Sequence, residues 1–237
     1  MAEMNENNEY RRGTVLFLNK PLEWTSFNLV KKIKSTIEKY TGSGKIKVGH
    51  AGTLDPLATG LMILCTGKAT KRINEFQNLE KEYIATLELG KTTPSFDRET
   101  EADAVYESSH VTEKLFVEAL HEFKGEILQI PPIYSAKNIK GERAYKLARS
   151  GGKAMLKPVK VCISELEMLD YSFPTVRIRV VCSKGTYIRA LVRDIGQVLK
   201  CGAYLKDLVR IRIGMYHLEN AQTIQEFEEK LKFFKQN

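Results

Sequence analysis

The sequence predicts an α+β chain with a mixed or antiparallel central sheet flanked by helices, and three observations carry that prediction. Several segments alternate apolar and polar residues with period two, the mark of half-buried strands: Glu82 to Leu89, Val176 to Cys182 and Leu208 to Tyr216. Others repeat apolar residues every three or four positions, the mark of amphipathic helices. The two kinds do not alternate regularly along the chain, which disfavours a doubly wound parallel sheet. With 237 residues, 43% of them hydrophobic and 28% charged, the chain is globular and long enough to bury a core.

In order, residues 1–10 read as a disordered tail, acidic and Asn-rich. Val15 to Leu18 is a short apolar strand ending at Lys20-Pro21. Ser26 is positioned to cap a helix with Phe27, Val30, Ile33, Ile37 and Tyr40 on its inner face, terminated between Thr41 and Gly44. A Gly-dense segment, Gly49 to Gly60, leads into the buried strand Leu61 to Cys65. Thr112 to Lys124 is an amphipathic helix stopped by Gly125. From Pro131 to Lys157 the chain is basic and poor in apolar residues, so it reads as an insertion with one short helix from Arg143 to Ser150. Val159 to Leu169 and Val176 to Cys182 are strands, and Thr186 starts a helix that ends at Gly202. In the last strand, Arg210 and Arg212 alternate with Val209, Ile211 and Ile213. Thr223-x-x-Glu226 is a capping box for a final helix carrying Phe227, Leu231 and Phe234. Residues 11–237 are expected to form a single domain.

The net charge is +8, and it is segregated. Nine acids stand against three bases from Asp97 to Glu126, whereas eight bases stand against one acid from Lys137 to Lys160. Further basic clusters occupy Lys31 to Lys47, Lys68 to Arg72 and Arg177 to Arg193. Such an imbalance favours a polyanionic partner, nucleic acid first, over a merely solvated Lys-rich surface. The four cysteines are scattered without a C-x-x-C pair, and no histidine pair has ligand spacing, so a disulfide scaffold, a zinc finger and a catalytic metal are not expected. Gly42-Ser43-Gly44-Lys45 lacks the leading glycine and following hydroxyl of a phosphate-binding loop. No apolar run is long enough for a membrane span and no signal peptide is evident, so a cytoplasmic protein is expected.

Two segments carry chemistry. In Gly49-His50-Ala51-Gly52-Thr53-Leu54-Asp55-Pro56-Leu57-Ala58-Thr59-Gly60, Asp55 and Pro56 fit the cap and first residue of a helix shorter than two turns. The pattern alone favours that cap, while the surrounding glycines also suit a loop that lines a ligand site, with His50 and Asp55 sharing it. In Cys182-Ser183-Lys184-Gly185-Thr186-Tyr187-Ile188-Arg189, an arginine sits in the first turn of a helix, where the dipole disfavours cations. That placement points either to an anionic partner or to a side chain reaching solvent.

Taken together, Lys20-Pro21 with Trp24-Thr25-Ser26, the Gly49–Gly60 segment, Lys81-Glu82-Tyr83, Pro131-Pro132-x-Tyr134-Ser135-Ala136, and Cys182–Arg189 followed by Gly202-Ala203 resemble the TruB family of tRNA pseudouridine synthases over roughly Arg12 to Tyr216. The resemblance implies a pseudouridine synthase fold and isomerisation of uridine at tRNA position 55, in the T-loop, by base flipping, glycosidic bond cleavage and rejoining through carbon. No cofactor is implied. It assigns Asp55 as the required carboxylate, acting as nucleophile or as base at the sugar, Arg189 as its ion partner, and Tyr83 as the residue stacked on the flipped base. It implies substrate contacts for His50, Tyr187, Leu208 and Lys20, and a clasp on the RNA backbone by Lys137, Lys140, Arg143, Lys146 and Arg149 of the insertion. The implied partner is the T-arm of tRNA, bound by a monomer. With only Leu218 to Asn237 after the last strand, the additional C-terminal RNA-binding domain of many relatives is not expected. The competing readings are a non-catalytic tRNA-binding or folding chaperone, which leaves Asp55 and Arg189 without a role, and a DNA-binding protein, which lacks a helix-turn-helix or zinc signature.

Overall fold

The computed structural model describes residues 6–42, 44–133, 138–139, 142–143 and 156–236. In chain order the helices are α1 (Glu6–Arg12), α2 (Ser26–Thr41), α3 (Ile73–Asn78), α4 (Glu113–His121), α5 (Ile188–Val198) and α6 (Ile224–Gln236). The strands are β1 (Val15–Lys20), β2 (Val48–His50), β3 (Ala58–Thr66), β4 (Lys81–Leu89), β5 (Lys91–Thr92), β6 (Ala104–Val105), β7 (Gly125–Gln129), β8 (Asn138–Ile139), β9 (Glu142–Arg143), β10 (Val159–Ser172), β11 (Thr175–Cys182), β12 (Ala203–Ile213) and β13 (Tyr216–His217). The α+β class is as the sequence predicts. The chain divides into two compact units, residues 1–82 with 209–237 and residues 83–208. The chain leaves the first unit inside β4 and re-enters it inside β12. No linker composition marks either crossing, so the sequence gives no sign of it.

In the first unit β3 is the central strand. It pairs antiparallel with β1, Lys20 opposite Gly60, and with β2, His50 opposite Leu64, and it also neighbours β12. Leu61 to Cys65 are all buried, which is why this strand reads as a continuous apolar run rather than an alternating one. Gly60 is what lets β12 come close. Its φ is +108°, and a Cβ there would lie 2.3 Å from the Arg210 carbonyl oxygen. On α2 the buried stripe is Leu29, Ile33 and Ile37, spaced i, i+4, i+8. Phe27, expected on the inner face, is 71% exposed. The cap is Thr25, whose side chain accepts the Asn28 N–H, and Ser26 is released for another task. The expected tail is helical from Glu6, and Tyr10 is buried edge-on against Phe227, with ring centroids 6.4 Å apart. The Thr223–Glu226 capping box forms as expected, and Phe227 and Leu231 are buried.

In the second unit the strand order is β12–β4–β11–β10–β7, and the β10–β11 and β10–β7 pairs are antiparallel. Val176, Ile178 and Val180 of β11 are fully buried, as their alternation predicts. Amphipathic α5 buries Ile188, Leu191, Val192 and Ile195. The expected helix Arg143 to Ser150 does not begin at Arg143, which lies in β9 opposite Asn138 in a small hairpin. Of the remaining insertion residues, Lys137, Lys140, Lys146 and Arg149 lie outside the described residues.

Candidate active site

The residues singled out by the sequence are shared between the units: Lys20, His50 and Asp55 in the first, Tyr83, Tyr187, Arg189 and Leu208 in the second.

In the first unit Asp55 does not cap a helix. Its carbonyl accepts the Ala58 N–H at 3.1 Å, closing a turn from which β3 starts directly. Sequence reasoning favoured the cap because Asp-Pro is a common helix opening. Here the extended run from Ala58 pairs with β1 instead, and strand pairing overrides the local propensity. The turn is held residue by residue. Ser26 Oγ accepts the Leu54 N–H and donates to the Leu54 carbonyl, both at 2.8 Å. The Pro56 carbonyl accepts the Glu23 N–H at 2.8 Å and the Lys20 ammonium at 3.3 Å. Glu23 adopts a left-handed φ of 65°, unusual for a side-chain-bearing residue, and that bend presents its N–H to Pro56.

Lys20 is fully buried, and its ammonium also donates to the carbonyls of Pro21 at 2.9 Å and Trp24 at 2.6 Å. Its three hydrogen bonds thus go to backbone carbonyls. At the last position of β1 the strand's alternation turns this side chain inward. Lys20 ties the Pro21–Trp24 loop to the Asp55 turn. Burial lowers its pKa to about 8, against the pull of the Asp55 carboxylate and with the push of the Arg210 guanidinium. His50 is lowered too, first by burial and then by Arg210. Its Nδ1 accepts the Gly52 N–H at 3.3 Å, so the neutral ring carries its proton on Nε2 and offers that nitrogen as a donor.

In the second unit Tyr187 is the cap residue of α5, and its N–H is taken by the side-chain oxygen of fully buried Gln129 at 2.8 Å. Arg189, on the first turn, is 4% exposed, so the solvent-reaching alternative is excluded. It donates to the Ser95 carbonyl at 3.0 Å and forms an ion pair with Asp97, Nε to Oδ2, at 3.5 Å. Asp97 is itself buried, and its other carboxylate oxygen accepts the Glu99 N–H. The misplaced cation at the helix start is therefore matched by a desolvated carboxylate. Tyr83 and Leu208 are buried at 8% and 9% exposure.

Four residues of these two clusters carry no local sequence signal. Asp97 opens an acidic run and looks like one more solvated acid. Ser26 looks like a cap, Gln129 like an ordinary strand residue, and Arg210 like a surface cation on an alternating strand. Arg210 is 1% exposed and Arg212 pairs with Glu80 at 2.9 Å and Glu82 at 2.6 Å, so neither adds to an open positive surface. The same holds in part for the other basic clusters: Arg179 pairs with Glu165 and Arg193 with Asp194, each at 2.7 Å. Among the described residues no group of His, Cys, Asp and Glu is placed to hold a metal ion.

The depressed Lys20 pKa has a measurable consequence. Between about pH 8 and the ordinary lysine value near 10.4, the unfolded chain holds a proton that the folded chain has shed, so Lys20's contribution to stability rises with pH across that window. Relative to Lys20→Met, the unfolding free energy of the wild type is expected to gain roughly 2 kcal/mol from pH 8 to pH 10 and to stay flat below pH 7. Urea unfolding of both proteins at stepped pH reads this, and a flat difference up to pH 10 contradicts it.

Known proteins are similar to this chain along nearly its whole length. Residues 37–188 match the N-terminal domain of the TruB family pseudouridylate synthases, and residues 189–237 match the tRNA pseudouridylate synthase B C-terminal domain. The chain is 57% identical over 222 residues to tRNA pseudouridine synthase B of Phocaeicola vulgatus, covering 94% of each chain. It is 47% identical to the protein of the same description from Flavobacterium johnsoniae, covering 94% of this chain and 98% of that one. Among solved structures it is similar to a chain of a Cbf5-Nop10-Gar1 complex, with TM-score 0.71 and 28% identity over 95% of its length, and it spans 56% of that chain. A chain of an H/ACA RNP bound to a substrate RNA containing 2'-deoxyuridine is similar at TM-score 0.69 and 25% identity, covering 97% of this chain and 56% of that one. Matched along nearly its whole length by relatives of one description, the chain belongs to the TruB family of tRNA pseudouridine synthases.

Proposed function

We propose that the uridine this tRNA pseudouridine synthase converts is that at tRNA position 55 in the T-loop, and that Asp55 of the protein is the carboxylate on which the chemistry turns. Uridine and pseudouridine have the same composition. The bond from ribose C1' to uracil N1 breaks, the base turns, C1' joins C5, and the C5 proton is exchanged for one on N1. Asp55 serves as nucleophile or as base at the sugar, and either role needs its ionised form. The observation that carries the reading is the restraint on the Asp55 turn. Hydrogen bonds from Ser26, Glu23 and Lys20 fix the backbone on both sides of the carboxylate, as a reaction needing near-attack geometry requires.

The target uridine leaves its stack at a cost of a few kcal/mol. Tyr83 is assigned the stacking contact with the flipped base, and Arg189 the role of countering the Asp55 charge. Tyr187 and Leu208 are assigned to the base pocket. Neutral His50, with Nε2–H as donor, is assigned to the RNA beside the vacated space. Lys137, Lys140, Arg143, Lys146 and Arg149 are assigned to the RNA backbone. The tRNA substrate fits a cytoplasmic protein. Among the described residues no helix is long and apolar enough to cross a membrane.

The site of modification is read by incubating the enzyme with tRNA transcripts and mapping pseudouridine. Conversion is expected at position 55 and lost when that uridine is replaced by cytidine. Pseudouridine elsewhere with position 55 untouched refutes the assignment. Asp55→Asn is expected to abolish tritium release from C5-labelled tRNA while leaving tRNA affinity within about threefold, because the amide keeps the shape and loses the reactive oxygen. Turnover within tenfold of wild type removes Asp55 from the chemistry. Neutralising the five basic insertion residues together is expected to weaken tRNA binding and to lower the slope of log K against log salt by roughly 0.7 to 0.9 per lost phosphate contact. An unchanged slope means that these charges form only a solvated face.

A further inference from the structure

Arg210 is the largest of the fully buried side chains, at 1% exposure, and a guanidinium removed from water is costly unless it is paired. Among the described residues it makes no ion pair. Its hydrogen bonds run to two backbone carbonyls: Nε donates to Leu61 at 2.8 Å and Nη2 donates to Gly52 at 3.2 Å. Those carbonyls flank Asp55, three residues before it and six after. A buried Leu or Met would fill the same core at lower desolvation cost, so packing alone does not account for a guanidinium. Its planar fork takes Leu61 from Nε and Gly52 from Nη2, two separate atoms of one rigid group, whereas an ammonium offers all its donors from one point.

The surrounding backbone is shaped to this side chain. Gly52 has φ +131°, a conformation side chains rarely adopt, and a Cβ there would be in ordinary contact with Arg210 Nη1, at 3.6 Å. Gly60 admits the Arg210 backbone itself. Lys20 holds the middle of the same segment at Pro56, but from the β1 side. With burial this complete, Arg210 has no access to RNA phosphates, so its effect must pass through the segment it holds.

We infer that Arg210 is a positioning residue for the isomerisation: it clasps Gly52 and Leu61, the two ends of the segment that carries Asp55, and so sets where that carboxylate stands. The inference rests on the assignment of Asp55 to the chemistry.

The experiment compares wild type, Arg210→Lys, Arg210→Met and Asp55→Asn by single-turnover tritium release from C5-labelled tRNA, tRNA affinity and thermal midpoint. A displacement of the carboxylate by about an ångström lowers the rate by up to roughly a hundredfold. Arg210→Lys keeps the charge but has neither the Nε donor nor the rigid fork that takes Leu61 and Gly52 together. It is expected to lose roughly tenfold to a hundredfold in single-turnover rate while folding at the assay temperature and binding tRNA within threefold of wild type. Arg210→Met is expected to lose at least as much. If it does not fold, Arg210→Lys carries the test. A rate within threefold of wild type in Arg210→Lys overturns the inference. So does a rate loss matched by lost tRNA affinity, and so does failure of Arg210→Lys to fold, which makes the residue one of stability alone. If Asp55→Asn turns over normally, the Asp55 assignment fails and the inference falls with it. If Asp55→Asn is inactive and Arg210→Lys is normal, the inference fails alone.

Discussion

The carbonyl oxygens of Gly52, Pro56 and Leu61 face side chains rather than water, and buried cations meet all three. Lys20 takes Pro56, and Arg210 takes Gly52 and Leu61. A backbone acceptor buried without a partner costs as much as a lost hydrogen bond, and these contacts supply partners to the segment's carbonyls, at Pro56 in addition to the Glu23 N–H. They also carry positive charge into the neighbourhood of Asp55. Burial first, and the Arg210 guanidinium second, lower the pKa of His50, and the same two causes lower that of Lys20 against the pull of Asp55. One arrangement therefore serves backbone satisfaction, loop placement and local electrostatics.

The glycines of the segment belong to the same constraint. A side chain at position 60 would collide with the β12 backbone, and β12 is the strand that delivers Arg210. The Gly-dense stretch that looks like a flexible loop in sequence is thus a tightly held one. Its glycines admit close approach at Gly60 and left-handed backbone at Gly52 rather than providing mobility.

The second unit solves a parallel problem with a different device. An arginine in the first turn of α5 opposes the helix dipole, and burial removes its hydration. Asp97 and the Ser95 carbonyl compensate, on a loop bent by a left-handed Phe96 whose carbonyl accepts the Leu205 N–H. Gln129 fixes the N–H of the residue that caps the helix. Side chains remote in sequence thereby determine the orientation of Arg189.

The sequence by itself determined the α+β class, the positions of most strands and helices, the capping box at Thr223, and the family to which the Asp55 and Arg189 segments point. Those features follow from local periodicity, cap chemistry and motif order, which are written in neighbouring residues. Tertiary structure decided the rest. Whether Asp55 opened a helix or a turn depended on β3 pairing with β1. That Lys20 bonds backbone carbonyls depended on which way the end of β1 faced. Phe27 is exposed and Leu29 buried because the phase of a helix stripe is set by what packs on it, and Arg210 turned inward because its acceptors lie some 150 residues earlier in the chain. The division into two units was invisible because it cuts through two strands, where composition does not change. A contact between distant residues leaves no periodic trace in either segment, so only the folded chain could show which charges were partners and which were surface.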